Sequence, residues 1–174
     1  MTKGFDDRQN LDDLFAMTYE ELRRLASSVK SRDPSATLNP TALVNEAWLK
    51  LANSPGFTPA SRLHFKRTAA RAMREVLIDA ARRRQTQKRG GAELLVTLDG
   101  LPEQSVAVGE ELIALDGVLE ELARMNPRQA MMVESRFFGG LEVSEIAQLL
   151  EISEATVLRD WRAARAWLAN ELRR

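Results

Sequence analysis

The sequence reads as an all-α protein: two small helical domains joined by a flexible linker. Three observations carry that expectation. Apolar residues recur at three- and four-residue steps along most of the 174 positions. Asn39-Pro40 and Asn126-Pro127 each open such a stretch as an N-cap followed by proline at the first helical position. Strand signals are nearly absent, the one short apolar run being Leu94-Leu95-Val96-Thr97-Leu98 between glycines and acids.

The first helix is expected to start at Asn10 as N-cap, with Asp12 and Asp13 in its first turn, where the helix dipole favours acids. Its apolar stripe is Leu11, Leu14, Phe15, Leu22, Leu25 and Val29. The second follows Asn39-Pro40, carries Leu43, Val44, Ala47, Trp48 and Leu51, and ends at Asn53-Ser54-Pro55-Gly56. A third, from Ser61 to Arg84, buries Phe65, Ala69, Met73, Val76, Leu77 and Ala80. Arg67, Arg71 and Arg74, three or four residues apart, share another of its faces. His64, the sole histidine, reads as a helix-start residue.

From Gln85 to Glu110 the periodicity dissolves among Gly90-Gly91, Asp99-Gly100 and Pro102. A structureless stretch of that length is unusual inside one compact domain, so it divides the chain into domains 1–86 and 111–174 with a linker over 87–110. The second half holds four helical segments. Glu111 to Ala123 carries Leu112, Leu115, Val118, Leu119 and Leu122. The segment after Asn126-Pro127 carries Ala130, Met131, Val133, Phe137 and Phe138 and stops at Gly139-Gly140. Val143 to Leu150 and Ser153 to Leu172 follow.

Zero net charge conceals a division. Residues 1–90 carry 17 basic and 10 acidic side chains, residues 91–174 carry 8 and 15. Ten bases fall between Arg62 and Arg89, and the last twenty residues turn basic again, which suggests two separate surfaces for polyanions. The absence of cysteine removes disulfides, thiolate zinc sites and cysteine nucleophiles. With no membrane-spanning run and a polar, acidic N-terminus in place of a secretory signal, a cytoplasmic location is expected. Asp12, Asp13, Glu20, Glu21 and Glu46 are explained as helix-start and surface carboxylates. No phosphate loop, metal-ligand cluster or nucleophile–base pair accompanies them, so no enzyme, no metal and no cofactor are expected.

Residues 143–158, VSEIAQLLEISEATVL, have the layout of a helix-turn-helix. Ala147 lets the two helices approach, Ile146, Leu149 and Leu150 face inward, Ile152 plugs the turn and Ser153 caps the second helix. Val157 and Trp161 continue the buried face. Glu154, Ala155, Thr156, Leu158, Arg159, Arg162 and Arg165 are left outside, and such a helix lies in the major groove. Arg159 and Arg162 are the leading candidates for base or adjacent-phosphate contacts, since a bidentate arginine on guanine is the commonest specific contact. Two positions strain the pattern: Glu151 stands where the turn favours glycine, and Glu142 replaces a Ser or Thr cap.

These blocks together resemble the extracytoplasmic-function (ECF) class of bacterial RNA polymerase sigma factors, in the sigma-70 family. Residues 37–50, TLNPTALVNEAWLK, resemble the helix of sigma region 2 that docks on the polymerase, and residues 64–84 resemble the helix behind the promoter −10 element. Residues 126–130 (NPRQA), 137–141 (FFGGL) and 160–168 (DWRAARAWL) are similar to region 4 of one subgroup. The resemblance implies a sigma region 2-like domain, a region 4-like domain and a non-catalytic protein that directs transcription initiation at a subset of promoters. Its partners would be core RNA polymerase, promoter DNA and an anti-sigma factor. It implies core-polymerase contacts at Asn45, Glu46, Trp48, Leu49 and Lys50, and −10 contacts at Phe57, Arg62, Lys66, Arg67, Arg71 and Arg74. The −35 contacts fall to Glu154, Thr156, Leu158, Arg159, Arg162 and Arg165. Leu158 stands where the family usually has a basic residue, and leucine can meet only a thymine methyl there. A stand-alone helix-turn-helix regulator that binds duplex operators without polymerase is the alternative.

Overall fold

The computed structural model describes residues 3–32, 39–55, 57–89 and 104–173. Seven helices occur among them and no strand: α1 (Lys3–Arg32), α2 (Pro40–Ala52), α3 (Arg62–Arg89), α4 (Gln104–Met125), α5 (Pro127–Phe137), α6 (Val143–Leu150) and α7 (Glu154–Glu171). The all-α expectation is met.

Helix starts follow local chemistry where a cap is built. Asn39 Oδ1 accepts from the Ala42 amide at 2.7 Å ahead of Pro40, and Asn126 Oδ1 accepts from the Gln129 amide at 3.2 Å ahead of Pro127. Ser61 Oγ accepts from the His64 amide, while His64 Nδ1 turns back to accept from the Ala60 amide at 3.0 Å. The histidine is therefore part of the start of α3, as its position suggested.

Three expected boundaries move. Helix α1 begins at Lys3, so Asn10 is no N-cap; an asparagine inside a helix costs only about 0.7 kcal/mol, too little to set a boundary. Helix α3 runs on to Arg89, and α4 begins at Gln104 instead of Glu111. Helix thus covers both ends of the expected linker, because residues 85–89 and 104–110 contain good helix formers despite lacking an apolar stripe. Residues 90–103, with the run Leu94 to Leu98, lie outside the described residues, as does Gly56.

Helix α3 organises the core. Phe65, Ala69, Met73, Val76 and Leu77 form the expected buried stripe, with Ala80 half-buried. Helices α1 and α2 pack against α3, Leu22, Val44, Ala47 and Leu51 adding to that core. A second stripe, Leu63, Lys66, Ala70 and Arg74, is covered as well, for α4, α5 and α6 also pack on α3. Leu119, Leu122, Val133 and Phe138 continue the same buried cluster into the second half of the chain. A smaller cluster of Met132, Leu141, Ile146, Ala147 and Val157 holds the helix-turn-helix together, with Leu63 of α3 packed against it. Gly139 packs tightly against α3: a Cβ there would lie 2.9 Å from the Ala70 Cβ and 2.6 Å from the Ser135 carbonyl oxygen. Only glycine fits.

Candidate nucleic-acid interface

The α6–α7 unit is built from local sequence upward. The Glu142 amide at the start of α6 is answered from within the helix, donating to Glu145 Oε2 at 2.8 Å. A glutamate three residues on can reach back in this way, so the Glu142 amide is satisfied from inside the helix. At the other end the Ile152 amide donates to the Ala147 carbonyl at 3.0 Å and the Glu151 amide to the Gln148 carbonyl at 3.4 Å. That pair is a Schellman ending, and Glu151 takes its left-handed position at φ 54°, ψ 43°. It is the sole non-glycine residue at positive φ among the described residues. Ser153 then accepts from the Thr156 amide at 3.2 Å and starts α7.

Ile146 and Val157 are fully buried between the two helices and Ile152 closes over the turn, as the pattern requires. Trp161 is half-buried, with the Arg136 guanidinium 4.9 Å from its ring centroid. Glu154, Leu158, Arg159, Arg162 and Arg165 are exposed on the outer face of α7; Thr156 is half-buried, its hydroxyl 2.9 Å from Ser153 Oγ. Arg162 and Arg165 make no ion pair among the described residues, and the Arg159 side chain is 73% exposed beside Asp160. Sequence reasoning missed Asp160. It is buried on the inner side of α7 and accepts from Arg128 at the start of α5 at 2.5 Å, pinning α7 to its neighbour. An acid among outward arginines gives no periodic signal that it turns inward.

The basic face of α3 is less uniform than its spacing suggested. Arg71 is exposed and pairs with Glu75, Arg67 is half-buried, and Arg62 pairs with Glu21. Lys66 is buried, its ammonium held between Glu21 at 3.0 Å and Glu145 at 2.9 Å. Arg74 is enclosed too. Its Nε donates to Asp116 Oδ1 and its Nη1 to Glu134 Oε1, both at 2.9 Å, and its Nη2 donates to the Asp116 carbonyl at 3.1 Å. Burial alone would lower the Arg74 pKa, but the bonds it donates to Glu134 and Asp116 hold it above its ordinary value. Arg67, Arg71 and Arg74 therefore do not share one environment. The cover of the second half runs along Leu63, Lys66, Ala70 and Arg74 and has ended by Arg71. Phe57 is half-buried in the α2–α3 loop, its ring centroid 6.3 Å from that of His64.

On α2, Asn45, Glu46, Leu49 and Lys50 are exposed and contiguous, Leu49 by 52%. Lys50 holds Glu75 at 2.9 Å and Asp79 at 3.6 Å across to α3. The hydrogen bond with Glu75 raises the Lys50 pKa. Trp48 is half-buried, stacked on Phe15 of α1.

The described residues contain no group of three or more potential metal-ligating His, Cys, Asp or Glu side chains, and none of their helices is long and apolar enough to cross a membrane. A family model described as ECF sigma factor matches residues 3–174. No curated protein and no solved structure matches the chain.

Proposed function

The chain belongs to the ECF sigma factor family and is a sigma factor directing transcription initiation; from that premise we propose how its surfaces divide the task. Residues 1–86 act as the module for core polymerase and the −10 element. Residues 111–174 act as the module for the −35 element. The family is one of non-enzymatic transcription factors, so binding and positioning are the whole of the chemistry proposed.

The observation that carries the reading is the outer face of α7, which offers Arg159, Arg162 and Arg165 to solvent on a capped, tightly turned helix-turn-helix. In the major groove the first turns of α7 reach base edges, with Arg159 and Arg162 on bases or adjacent phosphates and Arg165 on the backbone. Leu158 meets a thymine methyl or no base at all.

Opening a promoter also requires an unpaired strand to be held beside a positive groove. Arg62, Lys66, Arg67, Arg71 and Arg74 of α3, with Phe57 at its mouth, are the groups proposed for that strand. The exposed Asn45, Glu46, Leu49 and Lys50 face the core enzyme, and Trp48 supports them from beneath.

Run-off transcription with core RNA polymerase on fragmented genomic DNA, followed by mapping of start sites, tests the reading. The expected result is a set of starts that depend on this chain and share upstream elements. Binding to duplex operators without polymerase, with no chain-dependent starts, would replace it with a stand-alone regulator.

A further inference from the structure

The inner stripe of α7 is Val157, Asp160, Ala164 and Leu168, all buried, and Asp160 is its one charged member. Its side chain is 8% exposed. A buried ion pair does no better than break even against well-packed apolar residues of similar volume, so stability does not account for an acid in that stripe. What the carboxylate touches does. Its two oxygens face two different arginines. Oδ2 accepts from Arg128 Nη2 of α5 at 2.5 Å, and Oδ1 stands 3.7 Å from the Nε of Arg159, whose side chain lies on the outer face of α7.

We propose that Arg128 and Asp160 are positioning residues for promoter reading: Arg128 anchors the carboxylate, and the carboxylate steadies Arg159 at its Nε so that both terminal nitrogens point at one base pair. The proposal rests on the reading of α7 as the −35 helix and deepens it, giving Arg159 a base in place of a phosphate.

The chemistry of the guanidinium supports this division. Its donors lie in one rigid plane, with Nε nearest the stem and the two Nη groups at the far end. A guanine offers O6 and N7 to two such donors. An ion pair made at Nε leaves the Nη groups for the base, and restraint before binding reduces the freedom that a long side chain must lose on binding. Adjacent residues on a helix do not ordinarily face each other, so a carboxylate at position 160 has to be held in place to serve position 159. Arg128 holds it from a fixed helix start, where Asn126 caps α5 ahead of Pro127. Arg128 also restrains the acid. Unpaired, the carboxylate would turn to the exposed guanidinium of Arg159, occupy the fork meant for guanine and repel the nearby phosphates.

Holoenzyme made from core polymerase and the full chain is titrated with a promoter duplex from the mapped starts, and with duplexes substituted at each −35 base pair. Arg159→Ala identifies the base pair it reads as the position where discrimination collapses. Asp160→Asn keeps the shape of the side chain and should lower discrimination at that same base pair roughly three- to tenfold, part of what a bidentate contact supplies. The other positions should be unchanged. Arg128→Met should match it, and Arg128→Lys should recover part of the loss. In an Arg159→Ala background neither Asp160→Asn nor Arg128→Met should alter the profile further. Arg128 is 48% exposed, so its variants carry the test if Asp160→Asn does not melt cooperatively. Equal weakening on every duplex would reduce the pair to packing. Intact discrimination with a salt slope lowered by about one in Arg128→Met would make Arg128 a phosphate contact. Either result overturns the proposal, as does an Arg159→Ala variant that keeps full discrimination. A parent holoenzyme indifferent to every −35 substitution overturns the reading of α7 itself, which separates the two failures.

Discussion

Phe15 and Trp48 stack nearly parallel, their ring centroids 4.4 Å apart and their planes 19° from each other. The pair fastens α1 to α2 directly beneath the exposed Asn45, Glu46, Leu49 and Lys50. Trp48 is thereby a supporting residue, and Leu49 beside it is free to meet a partner. Trp48→Ala should cost about 3 kcal/mol of stability, the loss expected for truncating a packed aromatic. Leu49→Ala should stay within about 0.5 kcal/mol in urea denaturation yet weaken core-polymerase binding. Equal losses of stability in the two variants would contradict this division.

Arg159→Ala and Arg162→Ala remove side chains that project into solvent, so neither should alter the urea midpoint. Each should reduce holoenzyme affinity for its −35 duplex by about 1–3 kcal/mol. A base-reading arginine loses discrimination at one base pair, whereas a phosphate-binding one weakens all sequences alike and reduces the salt slope by about one. Titrations of a base-substituted duplex series at two salt concentrations tell the two roles apart.

Much of this architecture was legible because it is local. The Asn-Pro starts, the buried stripe of α3 and the outward arginines of α7 each follow from spacing or from a cap within a few residues. What was not legible depends on partners far along the chain. Arg74 and Asp116 are 42 residues apart, and Lys66 and Glu145 are 79 apart. The second stripe of α3 was disguised because two of its four members are charged and one is alanine, so its periodicity reads as surface. Asp160 was hidden by the same logic, an acid turned inward by an arginine on another helix. The start of α4 was missed because residues 104–110 lack the leucine spacing that marks the rest of that helix.

Glu151 holds a left-handed backbone conformation that an L-residue adopts at a cost of about 1–2 kcal/mol. Glycine removes that cost but loses more freedom on folding, so Glu151→Gly should stabilise the chain by a net of roughly 0.5–1 kcal/mol. Glu151→Val should destabilise it, since a branched side chain tolerates positive φ least. The Glu151 side chain is exposed, so −35 binding by the glycine variant should match the parent. Thermal melts of the three proteins should therefore rank Gly above Glu above Val. A parent that melts above the glycine variant would mean that the glutamate makes a stabilising contact which outweighs its backbone strain.

Glu145 joins two tasks, accepting from the Glu142 amide through one oxygen and from Lys66 through the other. Burial pushes its pKa upward, but the bonds from Lys66 and then from the Glu142 amide outweigh it and hold the group below its ordinary 4.5. The folded protein thus binds this proton less readily than the unfolded chain does. Its contribution to stability is fully present above pH 4.5 and is lost as the pH falls through the lowered folded value. Glu145→Gln cannot carry the charge at any pH, and at neutral pH it should be less stable by about 1–2 kcal/mol. That gap should narrow below pH 4.5 and close once the parent carboxylate is protonated. Urea midpoints of the two proteins at pH 7, 5, 4 and 3 measure it. A gap that persists undiminished at pH 3 would mean that shape and the backbone bond hold α6 against α3, and that the charge on Glu145 contributes nothing to that packing.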